Sequence, residues 1–195
     1  MSRANAIVIA VLILAGVAGW QSLRATAAPP LPVLYNLGGD FALPSTLGRA
    51  VSLTDFHGEV VLLNFGYTSC PDVCPTALAR IRDVLNALPD APLQPVFVTL
   101  DPERDTLDRL APYVGAYDAR FVALTGSAAQ ISDAASHYHV YSEKRTADSA
   151  LGYSIDHSGQ IYLLDGDGRV RATFGESVTV PAMVTTVQQL LREVL

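Results

Sequence analysis

Cys70 and Cys74 are the only cysteines in the 195-residue chain, and the residues around them predict a reactive turn. An apolar run at residues 60–65, too short for a helix, predicts a buried strand that stops at Gly66. Behind the cysteines, apolar residues recur at helical spacing until Pro89. The predicted unit is a strand, a turn with two thiols, and a helix. Such a turn presents reactive side chains at the carboxyl end of a sheet, where open α/β folds place their sites.

The position of Pro75 predicts where this helix begins. Proline has no N–H and suits the first helical position, which makes Cys74 the N-terminal cap and leaves Cys70 in the turn before it. Both sulfurs then lie near the positive end of the helix dipole, which favours the thiolate over the thiol. The thiolate is the form that attacks disulfides and the form that binds metal ions.

The spacing of the two cysteines favours a metal site over a disulfide. Residues four apart in a regular helix have Cβ atoms about 5–6 Å apart, whereas a disulfide needs about 3.5–4.5 Å. An irregular turn can still close that gap. A purely structural disulfide is disfavoured because so small a loop removes little chain entropy. Redox chemistry and metal binding both remain open at this point.

Histidines are the other candidate ligands. Two thiolates alone suit soft Cu(I), whereas Cu(II) is better held when an imidazole is added. His57 lies in a polar turn and is expected at the surface, and His137 and His139 end a predicted helix, where capping or solvated roles are expected. His157 ends a predicted strand beside Asp156. On pattern alone it is an ordinary turn histidine.

The first residues predict export from the cytoplasm. Residues 4–23 are 20 mostly apolar residues, enough to span a bilayer, and Trp20 suits an interface. Residues 25–27, Ala-Thr-Ala, are a plausible cleavage site. We expect an uncleaved signal-anchor at 1–24 in the inner membrane and a Pro/Ala linker at 25–33 that does not pack on the domain. The domain then faces the periplasm; after cleavage it is soluble there. In that oxidising space two cysteines form a disulfide unless they are reduced or metal-bound.

Residues 34–195 predict one domain with a sizeable core. The formal net charge of −6 argues against a nucleic-acid-binding surface. Strands alternate with helices and a hairpin comes late, which predicts an α/β fold: a thioredoxin-like mixed sheet flanked by helices, with an added N-terminal β-hairpin. The predicted elements are a hairpin within 40–54, strands at 60–66, 94–100, 121–124, 153–156, 160–164 and 169–174, and helices behind Cys74, at 106–117, at 127–138 and from 179 onwards. The strands at 153–156 and 160–164 are expected to face each other across a turn at 157–159.

Four ordered sequence blocks resemble the Sco/SenC family of copper-binding proteins of cytochrome c oxidase assembly. The first is Phe-Gly-Tyr-Thr-Ser-Cys-Pro-Asp-Val-Cys-Pro-Thr at 65–76, and the second is Asp-Pro-Glu-Arg-Asp-Thr at 101–106. The third is Leu-Thr-Gly at 124–126, and the fourth is Asp-His-Ser at 156–158 with Ile-Tyr-Leu-Leu-Asp at 161–165. The resemblance runs from about residue 40 to the end, and the cysteine spacing alone would be far less specific.

The resemblance implies a thioredoxin-like fold and a copper site, for Cu(I) or Cu(II), with Cys70, Cys74 and His157 as ligands. Asp101 and Asp156 are candidates to orient a ligand or balance charge without binding copper. The implied function is a metallochaperone for the dinuclear copper centre of cytochrome c oxidase subunit II, rather than a turnover enzyme. A copper donor and a thiol reductant are further expected partners.

Other functions compete with this interpretation. A thiol–disulfide oxidoreductase that reduces the target's cysteines before metallation stays open, and so does a sensor or scaffold. A blue-copper carrier is disfavoured because Met183, in the last helix, is far along the chain from any ligand. A peroxiredoxin-like peroxidase is disfavoured because no Pro-x3-Thr-x2-Cys run precedes either cysteine.

Overall fold

The computed structural model describes residues 29–146 and 152–194. The predicted segment 1–24 and most of the predicted linker lie outside these residues. No helix within them is long and apolar enough to cross a membrane.

The compact unit begins at Leu31 rather than at residue 34. The Arg171 guanidinium donates to the carbonyl oxygens of Leu31 (2.6 Å) and Pro32 (3.3 Å). The Leu31 N–H donates to Glu193 (2.9 Å). The end of the predicted linker therefore packs on the domain, which corrects the expectation that it would not.

The elements follow the predicted alternation of strands and helices. In the described chain the strands are β1 (Ala42–Pro44), β2 (Ala50–Ser52), β3 (Val60–Gly66), β4 (Leu93–Thr99), β5 (Val122–Leu124), β6 (Ser142–Thr146), β7 (Tyr153–His157), β8 (Ile161–Leu164) and β9 (Val170–Phe174). A 3₁₀-helix spans Leu53–Phe56, and the α-helices are α1 (Val73–Ala87), α2 (Leu107–Gly115), α3 (Ala128–His137) and α4 (Val180–Val194).

The central sheet has the order β5-β4-β3-β8-β9 and is mixed, as predicted. β3, β4 and β5 are parallel, whereas β8 is antiparallel to β3 and to β9. β1 and β2 form the added N-terminal hairpin. All seven residues of β3 are buried, because successive side chains point to opposite faces and both faces are covered.

Two hydrophobic clusters lie on the two faces of this sheet. Leu63 and its alternate neighbours on β3 pack in one cluster with Ile131 of α3 and with residues of the N-terminal hairpin. Leu62 packs in the other cluster with Ile81 of α1 and Val187 of α4. The continuous apolar run of β3 is what a strand buried on both faces requires, and it holds the start of the cysteine turn in the core.

The strand pairing around residue 157 differs from the prediction. β7 and β8 are both strands, but they do not pair with each other. β7 pairs with β6 in a separate antiparallel two-stranded sheet, called the arm below, with Tyr153 opposite Thr146 and His157 opposite Ser142. β6 was not predicted because all five of its residues are exposed, so it carries no apolar alternation to mark it as a strand.

The end of β3 requires a glycine. A Cβ at Gly66 would lie 2.7 Å from the Cys74 sulfur and 3.0 Å from the Phe97 ring. We expect Gly66→Ala to reduce the free energy of unfolding by about 1–3 kcal/mol, the usual cost of overpacking a core. Chemical denaturation of the reduced full-length protein measures this change.

Gly115→Ala is the matched control. A Cβ at Gly115 meets nothing within 4 Å, and its φ is not positive. This variant should be neutral or stabilised by up to about 1 kcal/mol, because alanine restricts the unfolded chain. Equal stability of the Gly66→Ala variant and the wild type would show that the end of β3 has room for a side chain.

Candidate metal centre

The cysteine turn begins where β3 ends and runs into α1. Cys70 lies in the turn, as predicted, and its N–H donates to the Tyr67 carbonyl (3.2 Å). The helix cap is Asp72, so Cys74 lies in the first helical turn, which corrects its predicted place as the cap residue. Pro75 is the third helical residue, not the first. Its missing N–H leaves no gap, because the first N–H to bond back to the cap carbonyl is that of Thr76 (3.3 Å).

A buried carboxylate holds this turn in place. Asp105, fully buried, accepts hydrogen bonds from the Thr68 N–H (2.9 Å), the Thr68 hydroxyl (2.5 Å) and the Thr99 hydroxyl (2.7 Å). Arg109 adds bonds to the hydroxyls of Thr68 (2.7 Å) and Ser69 (2.9 Å). Sequence reasoning missed this role of Asp105, although its position soon after a predicted buried strand was a usable signal.

His157 completes a group of three candidate ligands. It lies at the end of β7, with Nε2 3.0 Å from the Cys74 sulfur and 3.8 Å from the Cys70 sulfur. Its Nδ1 is 3.1 Å from the Ser158 carbonyl oxygen, which assigns the ring proton to Nδ1 and leaves the Nε2 lone pair facing the sulfurs. The three ligand atoms lie within 4.8 Å of one another. The structure therefore brings the three predicted residues together.

The two thiols share one proton unequally. The Cys74 thiol beside Cys70 lowers the pKa of Cys70 to about 4. The pKa of Cys74 is raised, because a second negative charge next to the Cys70 thiolate, in a buried position, is unfavourable. Cys70 is therefore the thiolate of the reduced pair, and Cys74 holds the proton.

The remaining histidines lie away from this group. His57 and His139 are exposed, in agreement with the surface positions expected for them. The imidazole of His137 packs against Gly39. Among the residues that the structure describes, the two cysteines and His157 are the group that could hold a metal ion.

The two predicted auxiliary carboxylates, Asp101 and Asp156, take part in hydrogen bonds of the arm. Asp156 lies on the arm itself, whereas Asp101 accepts from it. Asp156 is exposed and accepts a hydrogen bond from Arg145 (3.2 Å). Asp101 is buried and accepts hydrogen bonds from the Tyr153 hydroxyl (2.7 Å) and from Arg104. Burial and the bond to Asp101 raise the pKa of Tyr153 to about 12, so the phenol stays protonated as a donor. The predicted part of both carboxylates in a copper site stays a prediction.

Fold and site together define a thioredoxin-like domain that can hold a metal ion between two thiols and an imidazole. Residues 32–192 match the model of the SCO1/SenC family, and the chain belongs to that family. This confirms the family resemblance of the sequence blocks.

Solved structures and curated relatives agree with this assignment. The chain is similar to Arabidopsis thaliana ScoI with copper bound (TM-score 0.76, 30% identity, 80% of this chain and 99% of that one). It is also similar to Bradyrhizobium japonicum ScoI with copper bound (TM-score 0.71, 37% identity, 82% and 99%). The mouse mitochondrial SCO2 homologue is 41% identical over 155 residues, 77% of this chain. The chain spans only 61% of that relative's length.

The unequal thiols predict unequal alkylation. In the reduced full-length protein we expect the reaction of Cys70 with iodoacetamide to show a pH midpoint near 4, far below the usual value of about 8.5. Cys74 should stay slow up to pH 8, because its thiol keeps its proton. Mass spectrometry of the labelled peptides, with circular dichroism to verify folding at each pH, measures both rates.

Cys74→Ala tests the cause of this shift. It removes the hydrogen bond that lowers the Cys70 pKa most, so the Cys70 midpoint should rise. Two thiols that react with the same midpoint near 8.5 would contradict the unequal sharing of the proton.

Proposed function

We propose that this protein binds copper through Cys70, Cys74 and His157 and delivers it during the assembly of cytochrome c oxidase. The observation that carries the proposal is the meeting of the three ligand atoms within 4.8 Å, with both cysteines free. The two similar ScoI structures with copper bound support the choice of metal.

The distances fit one metal ion. In zinc sites the metal–sulfur bond is about 2.3 Å and the metal–nitrogen bond about 2.0 Å. A sulfur and a nitrogen that bind the same ion can therefore lie at most about 4.3 Å apart. The sulfur–nitrogen separations of 3.0 and 3.8 Å lie below that limit. The Nε2 lone pair already faces the sulfurs, so binding needs no change of tautomer.

The donor set suits both oxidation states of copper. Two thiolates satisfy soft Cu(I), and the imidazole adds the ligand that Cu(II) prefers. Binding must displace the proton of Cys74, because only deprotonated sulfur binds metal. A site that accepts either oxidation state suits a protein that receives copper and passes it on.

The position of the site favours transfer to a partner protein. An open cavity of about 410 Å³ leads to it, lined by Tyr67, Cys70, Val73, Ile155 and His157 among others. We propose that the opening of this cavity meets subunit II of cytochrome c oxidase and that the protein supplies copper to its dinuclear centre.

We also propose that residues 1–24 tether the domain to the inner membrane, with the domain facing the periplasm. There a copper donor would load the site and a thiol reductant would keep its cysteines reduced.

Thiol–disulfide exchange is the second candidate function, and the low pKa of Cys70 favours it. The Cys70 thiolate would attack a disulfide of the target and release one target sulfur as a thiol, which takes the proton from Cys74. Cys74 would then displace the target, leaving a Cys70–Cys74 disulfide and a reduced target. This exchange needs no imidazole ligand, whereas tight Cu(II) binding does.

Substitutions of the ligands separate the two functions. The reduced full-length protein should bind one copper ion, with a thiolate-to-Cu(II) charge-transfer band, and Cys70→Ser or Cys74→Ser should abolish both. His157→Ala should lower the affinity for Cu(II) by more than about 100-fold. Loss of a residue that only hydrogen-bonds a metal ligand already costs 10–100-fold in metal affinity, and His157 is itself a proposed ligand. The same substitution should weaken Cu(I) far less and leave disulfide exchange largely intact. Competition titrations measure the affinities.

His57→Ala is the control, because His57 is exposed and is not among the three candidate ligands. It should leave both copper affinities unchanged. Tight copper binding by Cys74→Ser would contradict the assignment of the site, and unchanged Cu(II) affinity of His157→Ala would remove His157 from it.

Oxidation should block copper loading. The same two sulfurs are the ligands and the redox couple, and a disulfide offers no thiolate. We expect the oxidised protein to take up copper only after a reductant is added, and bound copper to protect both thiols from alkylation. Thiol trapping with mass spectrometry tests both expectations. Tight copper binding by the disulfide form would place the ligands elsewhere.

A further inference from the structure

The arm that carries His157 packs loosely on the domain. Its outer strand β6 is exposed along its whole length. An open cavity of about 240 Å³ lies between the arm and the body, with Leu100, Ile131, Ala135 and Ile155 among its lining residues. Apolar packing of the arm in this region is a small cluster in which Ile155 and Tyr153 meet Tyr67 and the two cysteines. Because this cluster is small and a cavity lies beside it, polar contacts contribute to where His157 lies.

Tyr153, four residues before His157, makes those contacts. Its hydroxyl donates to the buried Asp101 carboxylate (2.7 Å). Its carbonyl oxygen accepts from Arg104 (3.1 Å), which also bonds to Asp101. The guanidinium carbon of Arg104 lies 3.7 Å from the centre of the Tyr153 ring, and the Lys144 ammonium lies 3.8 Å from the same centre. We call these four residues, Asp101, Arg104, Lys144 and Tyr153, the latch.

A second tyrosine connects the latch to the metal site. The Arg104 guanidinium carbon also lies 5.8 Å from the centre of the Tyr67 ring. The Tyr67 hydroxyl accepts from the N–H of Ile155, in the middle of β7 (3.2 Å). The Tyr67 ring meets the His157 ring edge-on, with 5.8 Å between centroids. Arg104 therefore contacts both aromatic side chains that hold β7 in place.

We propose that Tyr153 is a positioning residue for His157 and that the latch sets how tightly the protein holds Cu(II) relative to Cu(I). This proposal rests on the copper-binding function above. The two thiols belong to the turn and to α1, whereas the imidazole belongs to the arm. A loosened arm therefore removes the ligand that Cu(II) needs and leaves the two sulfurs that satisfy Cu(I).

The expected size of the effect follows from the population of the latched arm. When only a fraction of the molecules hold the binding-competent state, the apparent dissociation constant rises by the inverse of that fraction. An arm that is latched in one molecule in ten binds Cu(II) about tenfold more weakly. Loss of one hydrogen bond to a buried carboxylate is large enough to cause such a shift.

The test compares Tyr153→Phe with Tyr141→Phe in the reduced full-length protein. Tyr153→Phe removes the hydroxyl that binds Asp101 and keeps the ring between Arg104 and Lys144. It should weaken Cu(II) about tenfold, leave Cu(I) within twofold, and reduce the nitrogen hyperfine splitting in the Cu(II) EPR spectrum. Tyr141 lies just before the arm, is 55% exposed and bonds to Glu143. Its substitution should change none of these values.

A double-mutant cycle identifies the route of the effect. In a His157→Ala background, Tyr153→Phe should have no further effect on Cu(II), because the ligand that it positions is gone. An equal loss of Cu(I) and Cu(II) affinity, or the full tenfold loss without His157, would overturn the proposal. Wild-type Cu(II) affinity in Tyr153→Phe would overturn it as well.

Hydrogen exchange of the metal-free protein tests the latch without copper. The N–H groups of Ile155 and Ser158 bond to the Tyr67 hydroxyl and the Tyr141 carbonyl. Tyr153→Phe should speed their exchange about tenfold, with β3 and β4 unchanged. Unchanged exchange at both amides would overturn the latch even if copper binds as proposed. Failure of the wild type to bind copper would overturn the proposed function and the Cu(II) preference with it, while accelerated exchange would still show that Tyr153 holds the arm.

Discussion

The antiparallel pairing of β8 with β3 determines where the three candidate metal ligands can meet. Asn64 pairs with Ile161 in this register, so the chain entering β8 lies beside the chain leaving β3. The two cysteines follow the end of β3, and His157 comes four residues before the start of β8. A parallel neighbour on that side would bring the opposite end of the strand to the cysteines. The site therefore depends on the mixed character of the sheet.

The two sides of the site are held by different kinds of interaction. The two thiols are fixed by the core, because the preceding strand β3 is buried on both faces and the fully buried Asp105 holds the cysteine turn by hydrogen bonds. The imidazole lies on the arm, which contacts the rest of the domain through hydrogen bonds, ring contacts and one small apolar cluster around Ile155, beside an open cavity. A firm pair of sulfurs facing a more weakly held third candidate ligand suits the proposed delivery of copper. A segment held by such polar contacts opens at a lower free energy than a segment in a packed core.

The acid–base chemistry of the site follows from the close approach of the two cysteine thiols. Gly66 lets the Cys74 sulfur approach the end of β3, and the two sulfurs and the imidazole nitrogen lie within 4.8 Å of one another. The shared proton lowers the pKa of Cys70 and raises that of Cys74. A thiolate next to a protonated thiol is suited both to metal capture and to attack on a disulfide. Both proposed chemistries, copper binding and disulfide exchange, therefore depend on the same pair of residues.

The sequence by itself determined the local units, and only the tertiary structure decided how they meet. Periodicity predicted β3, α1 and most of the sheet, since burial leaves a pattern in the order of apolar residues. It could not predict β6, because an exposed strand carries no such pattern, and it placed the start of α1 two residues late. Pattern alone left His157 an ordinary turn histidine; the family resemblance singled it out. The partnership of Asp101 with Tyr153, 52 residues apart, and that of Asp105 with Thr68 exist only where the folded chain brings distant side chains together.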